Sequence, residues 1–503
     1  MNTVKIGWGR REFSTDKRVN INGQMYMRPS KGVLDPLYAT AMAIDGGEGQ
    51  DAFVFCSVDR TGFSDVFYKE LLDAVVAKKP EIPRDSIIFG ATHTHTSVDI
   101  DNIREKTPDG VEVVLGKDIR PFVVDQISDA VVEAWENRTE GGIAYGYGYA
   151  TVGFSRRVVY TKDMNEKYFN IIAPHGKCVQ YGKTTEPEFS HYETNSDASV
   201  NLMFTFDPNK KLTGIVVNIP CPSQASEVME VLTADYWAQI REQVAKEFGP
   251  DVYVLTQCAP GGDMTPRPMH YLEAENRRFR LKYGAGDENG KVSYFERSMG
   301  RRHDIGERVI ACIKEVYSWA SKDIQTEIPV RHCREKIELT WRPITEDEKN
   351  WCEENIKTLE ASVPSPENCT PEEYRVAKNR SDNAIRRNQN ILRYYEMQKT
   401  KKKLPYHIHT AQIGEVAWAT NPFELFVDYM TRIQARSPFT QSFLIQLAGE
   451  DGGGYLPTER ACINKSYSAS MFDNYVTDVG GQELVEYTLK KFNDFKAMDE
   501  EQV

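Results

Sequence analysis

No stretch of this chain approaches the roughly 20 consecutive apolar residues that a membrane-spanning helix needs. Its opening, Met1-Asn2-Thr3-Val4-Lys5-Ile6-Gly7, lacks the apolar core of a signal peptide. The nine cysteines are scattered, odd in number and without a Cys-x-x-Cys pair. That excludes an obvious disulfide framework and suits a reducing compartment, so a cytoplasmic location is expected, with a periplasmic or secreted one as the alternative. A strong positive charge is missing too: 62 Lys and Arg stand against 74 Asp and Glu, a net charge of −12. No nucleic-acid partner is expected from such a surface. The one cationic cluster, Lys399-Thr400-Lys401-Lys402-Lys403, closes a polar helical stretch and reads as a solvated helix end. There is no internal repeat and no low-complexity linker.

What remains is a 503-residue chain, 40% hydrophobic and 27% charged, which is the composition of a globular protein larger than one ordinary core. The expected fold class is α/β. Residues 1–503 are read as one large mixed-sheet domain with βαβ units and a peripheral helical insertion over about 343–403. Phe53–Asp59 is continuous enough to be a strand buried on both faces. Asp65–Lys79 has apolar residues at helical spacing, and Ser86–Ala91 is a second buried strand, so the three make a βαβ unit. Ala198–Phe206 and Leu212–Pro220 read as a hairpin turning at Asp207-Pro208-Asn209. Glu346–Ser362 and Pro371–Thr400 read as charge-rich helices, the strands His407–Ile413 and Glu415–Thr420 pair across Gly414, and Phe423–Arg436 reads as one helix.

The Ser86–Ala91 strand opens into Thr92-His93-Thr94-His95-Thr96-Ser97. Alternation along an extended chain would put His93 and His95 on one side, at the carboxyl end of a buried strand, where ligands usually sit. Two imidazoles there suit metal ligation and acid–base work together. Asp59 is a credible neighbour of that place. His407 and His409 alternate along a strand and are expected to be structural.

Six blocks in order carry a resemblance. Ala91-Thr92-His93-Thr94-His95-Thr96 resembles A-T-H-T-H-S, and Phe154-Ser155-Arg156-Arg157 resembles F-N-R-R. Thr233-Ala234-Asp235-Tyr236 resembles S-A-D-Y, and Gly262-Asp263-Met264-Thr265-Pro266 resembles G-D-V-S-P. Pro422–Tyr429 resembles P-G-E-P-F-V-E-Y, and Gly454-Tyr455-Leu456-Pro457-Thr458 resembles G-Y-L-P-T. Together they resemble the catalytic domain of the neutral/alkaline non-lysosomal ceramidases, zinc-dependent amidases. The resemblance implies zinc ligation by His93, Glu424 and Tyr455, with His95, Arg156 and Thr265 around the substrate carbonyl. The family's second ligand histidine is missing, since no His occurs between His191 and His270. Cys221, in Asn218-Ile219-Pro220-Cys221-Pro222-Ser223-Gln224, falls about where it belongs. Either a Cys221 thiolate completes the set, a Zn–S bond near ~2.3 Å being ordinary, or Cys221 is inert and the metal is lost. His175 or His191, in an irregular polar segment, is a further replacement.

The resemblance implies a hydrolase that cleaves an amide or ester bond of a small or acylated substrate. A zinc-bound water, its pKa lowered to about 7, would be the nucleophile. His95 would move the proton, and Arg156 with the Gly261–Asp263 backbone would hold the oxyanion. Asp263 and Tyr455 are further candidates at the reacting atoms. Two other readings stay open: a carbohydrate-active hydrolase or lyase with a glycosidic substrate, and a non-catalytic binding homologue without metal. No C-terminal immunoglobulin-like domain, found in the family's lipid-processing members, is expected here.

Overall fold

The structure is a computed structural model that describes residues 3–24, 26–101, 112–165 and 176–500. Three mixed sheets organise it. The first runs in the order Ile87–Ala91, Ala52–Val58, Tyr38–Asp45, Lys5–Glu12 and Thr139–Glu140. The second runs Tyr253–Cys258, Leu212–Ile219, Ser199–Phe206 and Gly142–Tyr149, and the third Val330–Thr340, Lys403–Ile413, Val416–Thr420 and Gln441–Ile445. Each sheet is antiparallel except for one parallel pair: Ala52–Val58 with Ile87–Ala91, Leu212–Ile219 with Tyr253–Cys258, and Val416–Thr420 with Gln441–Ile445.

The strands read as near-continuous apolar runs because both faces are covered. Alternate side chains of all three sheets enter one shared core, among them Trp8, Phe55, Ile88, Val216, Leu255, Trp418 and Phe443. The opposite faces of the first two sheets pack beneath helices, with Val54, Cys56 and Val58 against the Asp65–Lys78 and Gly116–Glu136 helices, and Val217 and Val254 beside Ile240, Val309 and Ile313. The third sheet packs Leu339, Ile408 and Ala419 under Met430, Ile433, Val485 and Phe492. Each such side chain contributes roughly 1.5–3 kcal/mol by leaving water.

The βαβ unit is present as expected, its helix capped by Ser64. So is the hairpin Ser199–Phe206/Leu212–Ile219, with Lys210 in the left-handed region at its turn. The helices Glu346–Ala361 and Pro371–Met397 form, each opened by a capping box, Thr345/Glu348 and Thr370/Glu373. Two expectations need correction. Val330–Thr340 is an 11-residue strand where the sequence suggested none; it is an edge strand, half exposed and polar, so it carries no apolar run. Phe423–Arg436 is not one helix. Glu424–Leu425 is a short strand beside Tyr455–Leu456, and the helix starts at Val427.

Candidate functional site

The loops that leave the carboxyl ends of the three parallel pairs converge. Ala91 N donates to Leu447 O (3.1 Å), Asn218 Nδ2 to Leu444 O (2.9 Å), and the Ser57 and Thr256 hydroxyls lie 2.7 Å apart. These contacts pull the three sheets' strand ends together, and the loops beyond them carry His93 and His95, Gln224, and Glu424 with Tyr455.

The strand ends at Ala91, so the two histidines are not paired by alternation. His93 instead lies in the left-handed region at φ 62°, a conformation that costs a non-glycine residue of order 1–3 kcal/mol. Its Nδ1 donates to Thr61 O at 2.6 Å, which aims Nε2 at His95 Nε2 (3.2 Å) and Glu424 Oε2 (3.5 Å). Both rings are fixed edge to face.

Gln224 Nε2 lies 2.9 Å from His95 Nε2. The amide orientation follows from its other end, where Oε1 accepts from Arg156 Nη1 and Tyr181 OH, each at 3.2 Å. Gln224 Nε2 therefore donates, and His95 Nε2 accepts with its lone pair. Burial, reinforced by His93, pushes the His95 pKa well down, so the ring stays neutral. The segment is held by Asp235, which accepts from Ala225 N and Ser226 N, and by Ser223 Oγ donating to Thr92 O at 2.6 Å.

Arg156, expected near the substrate carbonyl, is 1% exposed and sits at the centre. Its Nη2 reaches Glu424 Oε2 and Tyr455 OH, each at 3.2 Å, and its Nε and Nη2 donate to Gly262 O at 3.2 and 2.7 Å. Gly262 is essential to that approach, because a Cβ there would come within 2.3 Å of Glu424 O. Burial alone would favour the neutral acid at Glu424, but His93 and Arg156 outweigh it and hold the carboxyl down to about 2. Burial pushes the Tyr455 and Tyr181 phenols up, so both keep their protons. His95 and Glu424 are the partly open members of the cluster.

His93, His95, Arg156, Glu424 and Tyr455 are thus brought together. Other residues singled out in the sequence are engaged elsewhere. Cys221 is buried with its sulfur on Pro222 O at 3.5 Å, and its own carbonyl is held by Tyr236 OH at 2.6 Å, so it is bonded to none of the other three expected ligands. Asp263 carries its carboxylate to Val427 N (3.0 Å), capping the helix that Phe426 leaves without a side-chain cap. The Gly261 and Gly262 N–H groups are not free for an oxyanion, because they donate to Gln446 Oε1 and Leu425 O. Asp59 is taken by Arg241 at 2.6 and 3.0 Å. Thr265 is fully buried with an unpartnered hydroxyl, on the short strand paired to Phe154–Ser155. His191 is exposed on Ser190, and His175 lies outside the described residues. His407, expected to be structural, bonds Asp451 at 2.7 Å, and His409 stacks on His332.

Three site residues were missed by sequence reasoning: Thr61, Tyr181 and the active part of Gln224. Tyr181 leaves an irregular polar segment that gives no periodic signal. For Gln224, the departure from the family's segment was the available signal.

The donor set that would hold a zinc ion is therefore incomplete. His93 Nε2, Glu424 Oε2 and the Tyr455 oxygen converge, but the segment that should add an imidazole adds an N–H donor instead. Among the described residues, no three His, Cys, Asp or Glu side chains are set to hold an ion. Two cavities, of about 220 Å³ beside Trp341 and Lys399 and about 510 Å³ beside His332 and Lys491, contain none of the cluster's residues.

No family model matches the chain, and no curated protein sequence matches it. The structure is similar to that of the neutral ceramidase from Pseudomonas aeruginosa, with a TM-score of 0.62 and 14% identity over 97% of this chain and 74% of that one. It is also similar to a structure of ceramidase complexed with C2, with a TM-score of 0.61 and 12% identity over the same shares. With those two neighbours aligned to nearly its whole length, the chain has the fold of the neutral ceramidases, the family its sequence blocks resemble.

Proposed function

We propose that this protein is a hydrolase of small acylated molecules, acting at an amide or ester carbonyl. The observation that supports this most is the meeting of a neutral imidazole, His95, with the Arg156–Glu424–Tyr455 group at the partly open edge of the cluster. In the mechanism, a water takes the place of the Gln224 N–H at His95 Nε2, and that freed lone pair accepts the water's proton as its oxygen bonds to the carbonyl carbon. The carbonyl π pair moves to oxygen, where the Arg156 guanidinium offsets the new charge. Collapse of the tetrahedral intermediate breaks the C–N or C–O bond, and the proton on His95 goes to the departing amine or alkoxide. A carboxylic acid and an amine or alcohol result. Gln224 fixes His95, while Tyr455 and Glu424 fix the guanidinium.

The surroundings favour a compact polar acyl substrate over a long lipid chain. Arg28, Tyr181, Glu227 and Arg267 form a charged, hydrogen-bonded wall beside Gln224, with Arg28 donating to the His95 and Glu227 carbonyls and Arg267 paired with Glu227.

The test is a hydrolysis screen over N-acyl amines, acyl esters and oligosaccharides, repeated on two variants. His95→Ala is expected to lower the rate by about 10²–10⁴-fold, the usual contribution of a general base. Arg156→Met is expected to lose about 10²–10³-fold, the size of effect seen when charge stabilisation of an oxyanion is removed. Cleavage of oligosaccharides alone, or acyl cleavage that survives His95→Ala, would sink the assignment.

A further inference from the structure

We propose that this centre works with no bound metal, Arg156 supplying its positive charge and Gln224 orienting His95 where the sequence resemblance implies an ion and a second imidazole. The substrate side of this inference rests on the hydrolase reading above; the metal content does not.

The argument is one of donors and acceptors. A cation is held by lone pairs aimed at one point, and its histidine ligands must offer them unprotonated. Here the Gln224 amide turns its N–H towards His95, and it cannot be reversed without placing an NH₂ group against the Arg156 guanidinium and the Tyr181 hydroxyl. The alternative ligand that the sequence offers, Cys221, is turned to the Pro222 carbonyl. Its backbone is packed closely by Gly153, where a Cβ would stand 2.8 Å from Pro220 O, and its carbonyl accepts from Tyr236 OH.

Arg156 completes the case. A guanidinium cannot give up its charge in a protein. This one is tied to the Gly262 carbonyl by two hydrogen bonds and touches the oxygens of both Glu424 and Tyr455, the other two expected ligands. A divalent ion on the same two oxygens would face a fixed positive charge at contact distance. The carboxylate already has its counter-ion.

Metal content of the full-length protein, purified without chelator, decides the matter. Elemental analysis is expected to find well under one equivalent of zinc, and the melting temperature is expected to ignore both EDTA and added zinc. Gln224→His, which restores an imidazole next to His95, is expected to gain zinc and a zinc-dependent rise in melting temperature. One full equivalent of zinc in the unmodified protein, removed by EDTA with a fall in melting temperature and absent from His93→Ala, would overturn the proposal. So would a folded Gln224→His protein that stays indifferent to zinc. These readings use no substrate, so failure of the hydrolysis screen would remove the proposed reaction and leave this result standing.

Discussion

Asp263 reaches across 164 positions of sequence to cap the helix at Val427, and it does so at 2% exposure. Burial raises its pKa to about 6, with the Val427 N–H and Arg157 pulling the other way and losing. The ordinary value of 3.8 applies when the chain unfolds. Between those two values the folded protein holds the proton and the unfolded chain does not. The stability that Asp263 contributes is therefore fully present below pH 3.8 and is lost as pH rises towards 6, by roughly 3 kcal/mol at about 1.4 kcal/mol per unit. Asp263→Asn keeps an oxygen for Val427 and removes the charge. At pH 7 it is expected to be more stable than the parent, and the gap should close as pH falls below the folded value. Urea midpoints of both proteins across pH 4–7.5 check this; a less stable Asn variant at pH 7 would mean that the charged cap outweighs its burial. The same residue shows where the sequence was silent. Asp263 lies in a block legible as a site, yet its role depends on a helix start that only tertiary packing reveals. His93, Glu424 and Tyr455 were legible because each sits in its own short block. Gln224 was not, since its meaning comes from Arg156 and Tyr181 on the far side of its amide.

The helical hairpin of Glu346–Ala361 and Pro371–Met397 was legible as helices from its caps and charge pattern, but its purpose was not. It packs Cys352 and Ile391 against Met471 and Phe472. Arg387 then holds Asp473 through both carboxylate oxygens at 3.1 Å. The backbone carbonyl of Asp473 accepts the Tyr455 N–H at 2.7 Å, and Asn474 Nδ2 donates to the Tyr455 carbonyl. Tyr455 is paired to Glu424 as a strand neighbour, so the hairpin braces two members of the cluster at one remove. Arg387 is accordingly a positioning residue. Arg387→Ala is expected to lower kcat about 10-fold or more with little change in KM, since small misplacements of catalytic groups are costly. Because the pair is a partly exposed one, its loss should cost only about 1 kcal/mol or less of stability. Arg387→Lys is expected to recover part of the rate. A variant with unchanged kcat and a large fall in melting temperature would reduce the hairpin to a stability element.

At the scale of the whole molecule, the three sheets have no core of their own on their inner faces. Trp418, from the third sheet, stands edge-on to Phe53 and Phe55 of the first and packs on Phe443 beside it. At 2% exposure it joins two sheets that are far apart in sequence. The strand-end contacts run the same way: Ala91 N to Leu447 O joins the first sheet's edge to the third's, and Gln446 N to Cys258 O joins the third's to the second's. A site assembled from all three therefore exists only when all three are docked, and unfolding of any one sheet should take the others with it. Trp418→Ala is expected to cost about 3–5 kcal/mol, the usual price of emptying a large aromatic site. The decisive reading is the shape of the transition. Far-ultraviolet circular dichroism and tyrosine fluorescence should give coincident denaturant curves in parent and variant, as for one cooperative unit. Separate transitions in the variant would show that the third sheet, with Glu424 and Tyr455, can leave while His93 and Arg156 stay folded, and the cluster would then be a docking of two units instead of one built site.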